Sequence, residues 1–543
     1  MSHFIISSQE SIPDNAELPI LERIHLFNNQ TLTIFGTHPT YHIVRDGDNF
    51  ICSLGYACAC HLPSMNDTLD RLLSEVNDYN ISEIKKNVLG QFILIIKKDQ
   101  QLFLFTDFVG GRNIFYNSGQ SVISSSFALA ENAAGLNSNN LDTYKIIEFL
   151  ATREILYPCW LNRQTMNKKI NWLLPYQYIK IKAGAPVFEI RPIIYNINNH
   201  KQKDTNSLSE QLLRNLESVS YKKEFKNSTV CCSLTGGRDS RLIATMAARY
   251  YPNCQYRIAI SSLNKNSLKD LRVARKIARI NKKALNIYEL NLAEHENIYI
   301  KTTEGFSPTF NITVTPIIIN AEKYALGLGG AFGSELFSPI SYTNVEEFYR
   351  NIMIKVQNSI KADKVFWDKF DISLQEQMRD IKEHYRLQDD DQRDHIRLFH
   401  LLITARYNSF INSAINQFGY QLEPFGTFPV IETGLQISPE HWGNKRSIIG
   451  DALIEKEALY RISPKAAMVL AYSSYRPVMP FSFWSSPLYL WGYILNIFNW
   501  LLEKTIHSSK KQWKQILQGI YYSSDGWERY YVNRIGKYPI LLR

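Results

Sequence analysis

The densest chemistry in the chain lies in the eight residues Ser233-Leu234-Thr235-Gly236-Gly237-Arg238-Asp239-Ser240. Two adjacent glycines let backbone N–H groups come close to an anion, and the hydroxyls of Thr235 and Ser240 can donate to its oxygens. An aspartate in such a turn repels phosphate unless a divalent cation stands between them. Asp239 is therefore a candidate magnesium ligand. A plainer reading has the two glycines make a tight turn while Asp239 and Ser240 cap a helix. Two weaker constellations accompany it. Cys58-Ala59-Cys60-His61 has metal-ligand types but no second pair at zinc spacing, so buried strand cysteines are the expectation. Tyr521-Tyr522 and Tyr530-Tyr531, near Lys510, Lys511 and Lys514, have the residue types that stack on and neutralise nucleic acid, but packing is the default and no nucleic-acid partner is expected.

A phosphate turn needs a strand to feed it and a helix to leave it. Residues 229–234 are β-rich, and 241–249 have helical periodicity. A second strand at 255–261 and a second helix at 268–279 complete a β-α-β-α pattern, which argues for a parallel sheet covered by helices. The chain before this unit reads as β-rich: 31–35, 41–44, 92–96, 101–105 and 177–182, with a helix at 69–76 and a hairpin turn at 97–100. The polar run 196–206 reads as a linker, and 207–221 as an amphipathic helix. From 280 to about 483 the pattern is mostly helical.

Composition permits this organisation. A chain of 543 residues suggests two domains, and 45% hydrophobic residues suffice for large cores. The net charge of +10 is spread along the chain, so it allows an acidic partner but demands none. Seven irregularly spaced cysteines do not suggest a disulfide framework. The start lacks a signal peptide pattern. The most apolar stretch, 488–502, is interrupted by Asn496 and Asn499 and is shorter than the roughly 20 residues that span a bilayer. A cytoplasmic protein without a transmembrane segment is the expectation.

The 233–240 string resembles the pyrophosphate-binding loop of the N-type ATP pyrophosphatases, which include asparagine synthetase, GMP synthetase, argininosuccinate synthetase and several tRNA-modifying enzymes. The N-terminal half narrows the resemblance. Gly90-Gln91-Phe92, then Leu102 to Tyr116 (LFLFTDFVGGRNIFY), then Leu174 to Lys182 (LPYQYIKIK) are similar to the glutaminase domain of the asparagine synthetase family. The resemblance implies an α+β, Ntn-type glutaminase-like β-sandwich at 1–195 and an α/β ATP pyrophosphatase domain at 207–485. An aromatic-rich extension would follow at 486–543. It also implies ATP and Mg2+. ATP would be held by Ser233, Leu234, Thr235, Gly236, Gly237, Asp239, Ser240, Ile260, Gly329 and Gly330.

Departures from the family pattern shape the expected activity. The family's glutaminase uses a cysteine directly after the initiator methionine; here Ser2 stands there, and no cysteine occurs before Cys52. Thr106 replaces an arginine. The N-terminal domain is thus expected to keep the fold without hydrolysing glutamine. The family's second metal and phosphate element has its counterpart in 328–337, LGGAFGSELF. One register puts Ser334 on the metal-binding aspartate, the next puts Glu335 there, and the need for a carboxylate favours Glu335. For the catalytic lysine, only Lys465 and Arg476 lie in roughly the right region. The expected activity is an AMP-forming amide synthetase that joins a carboxylate to an amine without glutamine. Ring closure of the lasso-peptide type is favoured over ligation on a sugar or envelope precursor, or a weakly catalytic ATP-binding scaffold. The implied partners are a peptide or small-molecule substrate, a processing protease and a leader-peptide-binding protein.

Overall fold

The computed structural model describes residues 3–470 apart from short internal segments, the longest being 9–18, 305–313 and 439–451. Ser2, Cys60, Arg476, the apolar stretch 488–502 and the tyrosine pairs near the end lie outside the described residues.

The N-terminal part is built on two six-stranded antiparallel sheets. The first orders its strands Ile170–Trp172, Phe115–Asn117, Ile123–Ser124, His3–Ser8, Gln30–Phe35 and Ile20–His25. The second orders Glu189–Pro192, Gln177–Lys182, Gln101–Thr106, Phe92–Lys98, Asn49–Gly55 and Tyr41–Asp46. Alternation sends Phe4, Ile6, Leu32 and Ile34 of the first sheet against Phe50, Ile93, Ile95 and Leu104 of the second. The opposite face of the second sheet carries Phe92, Leu94, Ile96 and Phe103, which meet Leu69, Leu72 and Leu73 of the helix Met65–Glu75. Burial on both faces explains why residues 92–96 form an unbroken apolar run rather than an alternating one.

The C-terminal part contains a five-stranded parallel sheet in the order Leu285–Glu289, Gln255–Ile260, Val230–Ser233, Leu326–Leu328, Gln421–Leu422. Numbered along the chain, this order is third, second, first, fourth, fifth. One sheet face bears Cys232, Tyr256, Ile258 and Leu328. These pack with Leu208 and Leu212 of the helix Thr205–Ser220, Leu242 and Ile243 of Arg238–Tyr250, and Ala274 and Ile277 of Lys265–Asn281. The first of these helices starts before the expected 207 because Asp204 caps it, accepting from the N–H groups of Asn206 and Ser207. Strands Leu326–Leu328 and Gln421–Leu422 fall in the region that reads as helical. Three and two residues are too short to leave a periodic signal.

No gap separates the two parts. A single apolar cluster runs from Tyr56 and Phe108 in the first to Phe332, Tyr385 and Phe428 in the second. Phe108 packs edge-on against Tyr195 and Tyr385, and Tyr176 stacks on His384 with ring centres 4.3 Å apart. The buried Arg406, on the long helix Gln392–Ile415, donates to the carbonyls of Trp160 and Leu161. The cysteines at 52, 58, 159, 231, 232 and 254 are all buried and free, Cys58 in the short strand Cys58–Ala59. Among the described residues no helix is long and apolar enough to cross a membrane.

Candidate active site

Strands Val230–Ser233 and Leu326–Leu328 are neighbours, and between them the strand order reverses direction. In open parallel sheets, ligands bind outside the carboxyl ends of the strands at such a reversal. Both glycine-rich strings leave the sheet at this point, one from each strand.

The first string forms a turn locked from within. Ser240 Oγ accepts from the N–H of Thr235 at 3.1 Å and lies 2.9 Å from Thr235 Oγ1. Gly236 N–H donates to Asp270 Oδ1 at 3.2 Å, and a Cβ on Gly236 would overlap that carboxylate. Arg241 is fully buried and its guanidinium grips the turn from below, donating to the Gly236 carbonyl and to those of Ala466 and Val469. Gly237 caps the helix Arg238–Tyr250 without any side-chain hydrogen bond, and the N–H groups of a helix's first turn attract anions.

The second string makes a turn that closes on the first. Phe332 adopts a left-handed backbone at φ 77° and leads into the helix Gly333–Phe337. Such a conformation costs a non-glycine residue about 1 kcal/mol or more and persists because packing enforces it. Here the buried Phe332 ring lies against Gly426. A Cβ on Gly330 would stand 2.7 Å from the Ser240 nitrogen, and one on Gly333 would stand 2.7 Å from the Asp239 carboxyl carbon. The two strings therefore touch backbone to backbone, and only glycine allows it.

Where they meet, acidic groups collect around one arginine. Ser334 Oγ donates to Asp239 Oδ2 at 2.9 Å. Glu335 turns away to accept from Thr404 Oγ1 at 3.2 Å; burial, with the nearby Asp239 charge adding to it, pushes its carboxyl up to about 6. Adjacent helical residues point about 100° apart, so one of the two faces Asp239, and the structure places Ser334 there instead of the favoured Glu335. Arg397, on the helix Gln392–Ile415, holds the short helix in that rotation by donating to the carbonyls of Glu335 and Ser338. Glu455, on the helix Leu453–Ile462, is 1% exposed and accepts from Arg238 Nε at 2.5 Å. It lies within hydrogen-bonding reach of Asp239, and burial followed by that neighbouring charge raises its carboxyl well above the usual range. Its other oxygen, Oε1, has no hydrogen-bond partner. Arg238 also sits 3.4 Å from Asp239.

Beneath the second turn a buried polar layer ties the two parts of the molecule together. The Glu423 carboxylate accepts from the N–H of Ala331 and from Gln421 Nε2, both at 2.9 Å, and a Cβ on Gly329 would overlap it. Gln91, from the N-terminal sandwich, brackets the Glu423 backbone: its Oε1 accepts from the N–H at 2.7 Å and its Nε2 donates to the carbonyl at 3.4 Å. Arg257 Nη2 donates to Gln421 Oε1, and Arg257 Nε to Ser233 Oγ.

Among the residues singled out in sequence, Thr235, Gly236, Gly237, Asp239, Ser240, Gly329 and Gly330 converge at the two turns. Ser233 lies one layer below, engaged by Arg257. Leu234 is a core residue, buried on the apolar face. Ile260 ends the neighbouring strand, with its carbonyl taken by the N–H of Leu290. Lys465 is on the short helix that Arg241 ties to the first turn, but its side chain is exposed and makes no ion pair among the described residues. Glu455, Asp270 and Glu423 carry no local signal, because each reaches the site from a distant element. In the N-terminal part, Thr106 is buried at a strand end, and the chain enters its first strand at His3, whose Nδ1 lies 3.2 Å from Ser125 Oγ.

Comparison with known proteins adds little. No family model matches the chain, and no curated protein matches it. Among solved structures, U34-tRNA thiolase NcsA from Methanococcus maripaludis, with its 4Fe-4S cluster, is 12% identical. That match covers 51% of this chain and 80% of that one at a TM-score of 0.21. The NH3-dependent NAD synthetase from Campylobacter jejuni is 19% identical over 39% of this chain and 96% of that one, at 0.19. The glutamine phosphoribosylpyrophosphate amidotransferase from B. subtilis, complexed with ADP and GMP, is 8% identical over 54% and 85%, at 0.22. Superpositions this weak carry no argument, and the functional reading rests on the geometry.

Proposed function

We propose that this chain is an ATP-dependent, AMP-forming amide synthetase with an active site at the two touching glycine turns. One observation carries the reading: an uncapped helix N-terminus and the Asp239 carboxylate face a second glycine turn at the point where the parallel strand order reverses. Backbone N–H groups there would bind phosphate oxygens, and the absence of a side chain on Gly237 lets the nucleotide approach the backbone.

The donor set fits a hard cation. Asp239 is partly exposed at the mouth, and Glu455 keeps one buried oxygen without a partner. Mg2+ takes one or two carboxylates and completes its shell with phosphates and water, and these two carboxylates would hold it. When bound, such an ion supplies charge compensation for the phosphates. Arg238, pinned by Glu455 and Ser338, adds a fixed positive charge beside Asp239. A substrate carboxylate attacks the α-phosphorus of ATP and expels pyrophosphate. An amine then attacks the acyl carbon, loses a proton, and expels AMP.

Thr106, standing where the resembled family has an arginine, supports an amine source other than glutamine. The finer reading is ring closure within one peptide substrate, of the lasso-peptide type. Purified protein with ATP, magnesium and a cognate precursor peptide should give AMP and pyrophosphate by 31P NMR. The peptide should lose the mass of one water with neither ammonia nor glutamine added. ADP and orthophosphate as products would refute the assignment. Glutamate release from glutamine that disappears in Ser2→Ala would restore a glutaminase and remove the intramolecular reading.

A further inference from the structure

We infer that Glu455 is a direct cation ligand of this site, paired with Asp239 across the mouth of the first turn. The inference rests on the nucleotide reading above and is independent of which carboxylate and amine are joined.

Glu455 reaches the site from the helix Leu453–Ile462, more than 200 residues along the chain from Arg238, as its contact to that residue shows. Its side chain is 1% exposed, yet only one of its two oxygens is engaged. A buried carboxylate with an unpartnered oxygen is costly, and such groups persist where they pair with charge or coordinate metal. Arg238 brings one guanidinium, while Asp239, Glu335 and Glu455 bring three carboxyl groups to the same spot. A bound cation would favour their ionised forms. The facing position on the second turn, Ser334, offers a hydroxyl and no charge. Glu335 engages one oxygen with Thr404 Oγ1. Glu455, with an oxygen left without a hydrogen-bond partner, is the group placed to supply the second anionic ligand.

The competing account makes Glu455 only the counter-ion of Arg238. Mn2+ as an EPR probe separates the two, with an α,β-methylene analogue of ATP present so that no turnover occurs. Free Mn2+ is titrated against the full chain and three variants. The inference expects Glu455→Gln to weaken Mn2+ binding about tenfold or more. It expects Asp239→Asn to do likewise, and Arg238→Met to bind Mn2+ at least as tightly as the parent. Should Glu455→Gln fail to fold by circular dichroism, Glu455→Asp replaces it; there a weakened affinity with an altered bound-Mn2+ spectrum supports the inference. Unchanged Mn2+ affinity and spectrum in whichever Glu455 variant folds, beside a loss in Asp239→Asn, would overturn the ligand role and leave the nucleotide site standing. Failure of the parent chain to bind both Mn2+ and the analogue would sink both.

Discussion

The molecule contains two aspartates set in glycine turns, and they are used in opposite ways. Asp107 opens the turn Asp107-Phe108-Val109-Gly110-Gly111 in the N-terminal sandwich, with Gly110 left-handed at φ 73°. Its carboxylate is buried and consumed by the turn itself, accepting from the N–H of Val109 and, through both oxygens, from that of Gly111 at 2.9–3.0 Å. Asp239 opens its helix at the edge of a cleft, and Ser334 donates to it from the opposite turn. The first aspartate is saturated by its own backbone and does architecture. The second is held by neighbours that leave it room for a ligand. Residue types alone do not separate them; what separates them is whether the turn's own N–H groups point inward at the carboxylate or outward at a guest.

The largest expected effect tests that contrast directly. Asp239→Ala should cut ATP-dependent pyrophosphate release by about 10²-fold or more, as loss of a preorganised electrostatic group does, with an unchanged circular dichroism spectrum. Asp107→Ala should do the reverse. It strands buried N–H groups and should cost about 3 kcal/mol of stability, read by urea unfolding, while the folded fraction keeps its specific activity. Full turnover in a folded Asp239→Ala protein would remove the distinction.

A smaller effect is expected where the two turns touch. Gly330→Ala forces a Cβ to 2.7 Å from the Ser240 backbone nitrogen, so the turns must part. A displacement of that size should lower kcat/KM for ATP about tenfold or more. Gly119→Ala, whose Cβ would meet nothing nearer than 3.4 Å, serves as the control and should leave it unchanged.

The smallest effect concerns the sandwich alone. Burial, followed by the charge of Arg112, lowers His3 to about 3 from its ordinary value of 6.5. The folded state therefore binds this proton less well than the unfolded chain. Its stabilising contribution is complete above about 6.5 and is lost as pH falls toward 3. His3→Gln should flatten the fall in urea midpoint between pH 7 and 4.5 while leaving pyrophosphate release at pH 7.5 as in the parent. An identical pH slope in the variant would show that other groups carry the acid sensitivity.

How much of this was legible beforehand follows from the range of each interaction. The strand, turn and helix around Gly236 are encoded by neighbours within ten residues, through glycine's freedom and helical periodicity; the strand expected at 229–234 is Val230–Ser233, and the helix expected at 241–249 begins earlier, as Arg238–Tyr250. The antiparallel strands at 92–96, 101–105 and 177–182 are legible for the same local reason. Register between turns is not local. Ser334 and Glu335 are adjacent, the need for a carboxylate favours Glu335 in sequence, and which of them faces Asp239 depends on contacts from Arg397 and Thr404 on the distant helix Gln392–Ile415. Lys465 lies at an eligible distance along the chain, but proximity along the chain does not orient a side chain, and it is exposed. Glu455, Asp270, Glu423 and Gln91 carry no motif, because a lone acid or amide looks the same in sequence whether it meets water or a buried turn. The sequence by itself determined the turn chemistry and the elements that deliver it. Only the tertiary structure decided which acids surround Asp239, because their meeting depends on the packing of helices and sheets separated by more than two hundred residues of chain.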